Sequence, residues 1–198
     1  VRAVVVGSGQ SAKGFIPPAG VVVIAVNGAI DWLVRANHFF TLDPSAENLH
    51  RLNHQRIGVQ YHYAYSQLLN LRPGVHAEYY QRITGKPFEN PVSNSPQWWA
   101  NRLGCKLGLS KRVGQIHTGN SAWGALGLAL HLGAEKVALV GVDANASPRI
   151  GGGYSRELCH LPLLFESAIG QINFINCGAM QSAVPTKNLR DGMEWLCN

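Results

Sequence analysis

The sequence predicts an α/β architecture: a mostly parallel sheet with helices on both faces, in a single domain across its 198 residues. Three observations carry that expectation. Short continuous apolar runs recur at 2–7 (RAVVVG), 21–26 (VVVIAV) and 136–143 (KVALVGVD), as in strands buried on both faces of a parallel sheet. Helix-like segments separate such runs, and alternation of this kind implies right-handed crossovers. The length suits one full hydrophobic core, and no repeat or linker divides it.

The elements follow in chain order. After the first two strands, 30–36 (IDWLVRA) reads as helical, 38–42 (HFFTL) as a strand ending at Asp43-Pro44, and 45–54 (SAENLHRLNH) as a helix. Ile57 to Tyr61 is a further strand candidate. From 61 to 96 periodicity is poor, and Tyr, His, Asn, Pro and Gly are frequent, so this stretch reads as a cover or insertion. Its aromatic content through Trp99 suits an interface between copies of the chain equally well. Ser95-Pro96 supplies a cap and a first-turn proline for a helix through about Leu107, with Trp98 and Trp99 as packing residues. Thr118-Gly119-Asn120-Ser121 leads into AWGALGLALHLGA, a small-residue helix stopped by Gly133. The run at 136–143 ends in Asp143, and the glycines at 151–153 precede a helix at about 157–169. INFINC at 172–177 is a last strand.

Apolar residues at 46% against 14% charged exclude a disordered chain. No run approaches the roughly 20 apolar residues of a membrane span, and no basic segment precedes an apolar one, so a soluble cytoplasmic protein is expected. The net charge of +6 favours an anionic partner. The basic residues are scattered, however, with Lys111-Arg112 the one adjacent pair, which argues for a phosphorylated small molecule over nucleic acid. Cys105, Cys159, Cys177 and Cys197 lack metal-ligand spacing and read as buried thiols. His50 and His54 share a helix face without a metalloprotease glutamate and read as surface residues. No cofactor or metal is expected on this reading.

In open parallel sheets, ligands bind beyond the carboxyl ends of the strands. That rule gathers the loop at 7–14, Asn27-Gly28, Asp43-Pro44, Thr118 to Ser121, Asp143 and the loop through His160 onto one edge. Gly7-Ser8-Gly9 opens like a dinucleotide turn, but Ala12 holds the third glycine position. The second strand also ends at Asn27, where an acid to bind ribose is expected. Lys13-Gly14 does not complete a Walker loop. What remains at Gly7, Ser8, Gly9, Gln10 and Ser11 is a generic anion cradle of backbone N–H groups and hydroxyls, or simply a tight turn. Thr118, Gly119, Asn120 and Ser121 offer a second set of donors, with helix capping as the competing role. Asn27 suits a ribose or phosphate contact or a turn cap, and Asp143 a ribose hydroxyl. His160, at the start of a helix whose dipole favours neutral imidazole, suits a general base; a purely structural histidine is the alternative.

The order of "VVVGSGQSAKG", "VIAVNGAI", "HTGNSAWGALGLALHLGAEKVALVGVD" and "LCHLPLLFESAIGQINFINCGAMQSAVP" resembles the bacterial lipo-oligosaccharide sialyltransferase family. It is also similar to the related 6-hydroxymethylpterin diphosphokinase-like group, and the short chain resembles phage-borne members. The resemblance implies a Rossmann-like domain that binds a CMP-type nucleotide-sugar and transfers the sugar without metal. In it Asn27 contacts the donor, Thr118-Gly119 begin the nucleotide-binding helix, and His160 is the base. Ser8 stands where the family has asparagine, Glu157 where it has tyrosine, Asn145 where it has an aromatic residue and Ile116 where it has arginine, while Tyr154 is placed to replace a second tyrosine. The stretch from Asp143 to His160 is shorter than the family's lid. The pterin-related alternative implies magnesium on Asp43 and Asp143, and a third expectation is a nucleotide binder without catalysis.

Overall fold

The computed structural model describes residues 1–153 and 158–198. These form one sheet of eight parallel strands: β1 (Arg2–Val6), β2 (Val22–Val26), β3 (His38–Thr41), β4 (Gln60–Tyr65), β5 (Glu78–Ile83), β6 (Gln115–His117), β7 (Lys136–Val140) and β8 (Asn173–Asn176). The order across the sheet is β6-β5-β4-β3-β2-β1-β7-β8. The α/β expectation holds, in a form consistent with a Rossmann-like sheet. Among the described residues no helix is long and apolar enough to cross a membrane.

The central strands form because their residues are apolar on both sides. Val4, Val5 and Val6 have no exposed surface, nor do Val23, Ile24 and Ala25 on β2 or Val137 to Val140 on β7. Two helical layers cover them. Residues of α3 (Pro96–Arg102), α4 (Ser121–His131) and α5 (Leu161–Glu166) join the core on one face. Those of α1 (Ala29–Trp32), α2 (Ala46–Asn53) and α6 (Leu189–Cys197) join it on the other. A short 3-10 turn (Gln10–Ala12) links β1 to β2.

The α4 helix leaves the β6 edge and crosses β3, β2 and β1 before the chain enters β7. Ser121 through Ala129 are all buried, which explains the small, apolar composition of this segment. Trp123 meets Phe165 edge to face at 5.6 Å between ring centres.

The segment 61–96, expected to be a poorly patterned cover or insertion, contains most of β4 and all of β5. Tyr61, Tyr63 and Tyr65 alternate with His62 and Ala64, and all five are buried, so polar aromatics fill strand positions usually held by aliphatics. The strand expected at 57–61 therefore starts at Gln60, and the helix expected through Leu107 ends at Arg102. Ser95 caps α3 by accepting from the Trp98 amide at 3.2 Å, with Pro96 in its first turn as the sequence implies. His50 and His54 are exposed, with rings stacked at 3.9 Å. Cys105 and Cys177 are buried, and burial pushes both thiols up to about 11; Cys197 is exposed, contrary to the buried-thiol expectation.

Candidate functional site

Connections diverge at the carboxyl ends of β1 and β7. From β1 the chain turns toward β2, whereas from β7 it runs through α5 to β8 on the other side. Such a switch point leaves a crevice between the two diverging connections. Here a cavity of about 600 Å³, its open mouth included, lies between the two loops. Val26, Val142 and Leu161 give it apolar surface, and Ser8, Asn27, Asn120, Asn145 and Arg149 bring polar side chains to its wall.

The glycines of the first loop join the two strand ends. The Gly7 amide donates to the Val140 carbonyl at 2.8 Å and the Gly9 amide to Gly141 at 3.0 Å. A side chain on Gly7 would come within 2.6 Å of the Gly141 carbonyl oxygen, and Gly141 itself has φ of 68°. Close approach of two backbones thus demands these glycines. Ser11 donates through its amide (3.0 Å) and its hydroxyl to the Asp143 carboxylate, which also accepts from the Ala179 amide at 3.0 Å. Gln10 Nε2 donates to the Pro148 carbonyl at 2.9 Å. The loop amides of residues 7, 9 and 11 therefore bind protein. Among the described residues, the amides of Ser8 and Gln10 meet no acceptor.

Gly7, Ser8, Gly9, Asn27, Asn120 and Asp143 come together on the cavity wall. Gln10 and Ser11 stand behind it, fixing the loop. Thr118 is buried, and its hydroxyl accepts from Arg82 Nε at 3.1 Å. Gly119 packs so tightly that a side chain would run into Leu164 and Trp123. Ser121 accepts from the Leu42 amide at 3.0 Å and fastens α4 to the end of β3. Of this motif Asn120 alone reaches the cavity, while its side chain also caps α4 by accepting from the Ala122 amide at 2.7 Å.

His160 occupies the capping position of α5 and is buried. Its neighbours Leu158 and Leu161 line the cavity, and His160 does not. Tyr154 and Glu157 lie outside the described residues.

Two cavity-wall residues other than glycine have left-handed backbones, Asn27 (φ 51°) and Ala144 (φ 55°). Asparagine tolerates this conformation, whereas alanine does so at a cost of about 1–2 kcal/mol. The Leu158 amide donates to the Ala144 carbonyl at 3.2 Å and holds the strained turn.

A second cavity of about 1060 Å³, mouth included, adjoins the first and shares Ser8, Asn27 and Arg149 with it. Sequence reasoning missed its principal residues. Buried Asn48 donates to Asn27 Oδ1 at 3.3 Å and accepts from Arg51 Nη1 at 2.8 Å. Arg51 also forks onto Asp31, with its Nη2 to Asp31 Oδ2 at 2.6 Å. Tyr65 donates to the Asp43 carbonyl at 2.7 Å, and burial pushes its hydroxyl up to about 12, so it remains a donor. Arg149 was findable by the strand-end rule, since it lies in the loop after β7 just before the glycines at 151–153. That loop is tied to the first by the Ile150 amide, which donates to the Ser8 carbonyl at 2.8 Å.

The candidate magnesium ligands Asp43 and Asp143 lie on different cavities. Asp143 lies on the inner cavity with its carboxylate held by Ser11 and Ala179. Asp43 lies on the outer one, held by the Ser45 amide at 3.1 Å and Asn48 at 3.2 Å. Among the described residues no cluster of three or more histidine, cysteine or acidic side chains forms a metal site. Comparison of the chain with protein-family models, with curated proteins and with solved structures finds no match.

Proposed function

We propose that the chain binds a nucleotide or nucleotide-sugar across the two cavities, with the phosphate in the inner one. The carrying observation is the inner cavity itself, placed at the β1/β7 switch point and rimmed by Arg149 and three asparagines. Arg149 is exposed, and no carboxylate among the described residues pairs with it. It is therefore available to an anion, beside the Ser8 amide. The apolar surface of Val26, Val142 and Leu161 suits the flat face of a base. Strained backbone at Ala144 fits a position under functional constraint.

In the sialyltransferase-like form of this reading, an acceptor hydroxyl oxygen bonds to the anomeric carbon. The bond from that carbon to phosphate oxygen breaks, nucleoside phosphate leaves, and His160 takes the hydroxyl proton. The ring of His160 must then reach the cavity between Leu158 and Leu161. Its position off the cavity wall favours the second reading, a nucleotide-binding protein without catalysis.

A thermal-shift screen of CMP, UDP, GDP, ADP and their sugar conjugates, with and without magnesium, tests both. A ligand at one hundred times its Kd adds about 2.7 kcal/mol to stability and raises Tm by several degrees. Arg149→Ala should weaken the best ligand about tenfold. No shift with any nucleotide overturns the assignment. Sugar transfer lost in His160→Ala, with binding kept, selects the transferase; binding without turnover in the parent chain selects the binding protein.

A further inference from the structure

The outer cavity has an unusual charge balance for a pocket beside a phosphate site. Among the described residues its one cation besides Arg149 is Arg51, and all three nitrogens of that guanidinium are engaged. Nε reaches both Asp31 oxygens at 3.2 and 3.0 Å, Nη2 reaches Asp31 at 2.6 Å, and Nη1 reaches Asn48 at 2.8 Å. Arg51 and Asp31 thus neutralise each other. Two further carboxylates line the cavity, Asp43 and Glu47. Glu47 is exposed in the first turn of α2, and among the described residues no cation lies within ion-pair distance of it. Arg149 borders both cavities, so a phosphate in the inner one engages the remaining cation among the described residues.

Trp32 lines the outer cavity. It is half-buried, and its Nε1 donates to the Ser8 hydroxyl at 3.4 Å, which fixes the ring relative to the inner loop. An indole so held offers apolar surface to the C–H side of a sugar ring, while the carboxylates accept from its hydroxyls.

We infer that the outer cavity takes an uncharged, hydroxyl-rich group, so that the sugar joined to the bound nucleotide is a neutral one and a carboxylated sugar is rejected. The inference rests on the nucleotide-sugar reading above and narrows it. A carboxylate entering this cavity meets Asp43 and Glu47 with Arg51 already paired, and like charges brought together at an interface oppose binding.

Isothermal titration of the full chain with matched conjugates tests this: UDP-glucose against UDP-glucuronate and GDP-mannose against GDP-mannuronate, with UDP and GDP alone as references. The neutral conjugate should bind at least as tightly as its bare nucleotide, and the carboxylated partner roughly tenfold more weakly, as expected for one like-charge contact in a solvent-open site. Glu47→Gln, an exposed change that leaves the core untouched, should shrink that ratio to about threefold or less. A carboxylated conjugate bound as tightly as the neutral one overturns the inference, as does a ratio unmoved by Glu47→Gln, and in both cases the nucleotide reading stands. If neither bare nucleotides nor conjugates bind, the nucleotide reading falls and takes this inference with it.

Discussion

Asp143 lies on the cavity wall and at the same time ties two loops of the fold together. It is buried, and its carboxylate gathers donors from two loops, Ser11 after β1 and the Ala179 amide after β8. Asp143→Ala leaves those donors without a partner and opens the seam between β1 and β7. The loss should be about 2–4 kcal/mol, since hydrogen bonds to charged groups are strong and buried orphan donors are costly. Urea denaturation of the variant should show a lower midpoint with an unchanged slope. The sequence placed Asp143 at the right edge of the sheet but suggested a ribose contact, because the partners that occupy it are distant in the chain. The same limit applies to Thr118 and Gly119, whose engagement by Arg82, Leu164 and Trp123 is purely tertiary.

α4 shows how a composition becomes a packing requirement. A side chain at Gly124 would stand 2.6 Å from Phe40 Cε1 and 3.0 Å from Leu42 Cδ1, whereas one at Gly127 would meet only the tip of Ile116 at 3.3 Å. Gly124→Val should therefore cost about 2–3 kcal/mol through overpacking. Gly127→Ala should be near neutral, because the alanine gains about 1 kcal/mol in helix propensity against a small adjustment of Ile116. Thermal unfolding of the two variants gives the order directly. The sequence was informative wherever burial on both faces left continuous apolar runs, as at β1, β2 and β7. It was poor for β5 and β6 at the sheet edge, where Glu78, Gln81 and Gln115 break the apolar pattern. α6 escaped notice although five of its nine residues are apolar, because it is short and Asn188 caps it from within a polar stretch.

Far from the cavities, the sheet buries a histidine pair. His38 Nδ1 and His62 Nε2 lie 3.0 Å apart beneath Tyr80, and exposed Glu78 approaches His62 Nδ1 at 3.2 Å. Burial pushes His62 down to about 4, with His38 adding to the effect, and burial lowers His38 as well despite the opposing pull of Glu78. The unfolded chain, with histidine near 6.5, binds these protons more readily than the folded one. Stability contributed by the neutral pair is therefore complete above pH 6.5 and is lost as pH falls toward about 4. For His62 the loss amounts to about 3 kcal/mol over that window. His62→Gln should flatten the dependence of the urea midpoint on pH between those limits, and an unchanged slope would place the effect elsewhere.

The seam between β1 and β7 also has a consequence in time. Val6 pairs with Val140, so the walls of the inner cavity come from opposite ends of a long intervening chain. Contacts of such separation form late, because the chain between them must first be ordered. On the ribosome, six strands emerge before β7 exists, and β1 keeps an open edge until α4 has crossed the sheet. The inner cavity is thus assembled after most of the sheet, and a ligand that fits it binds only chains whose synthesis has passed Leu161.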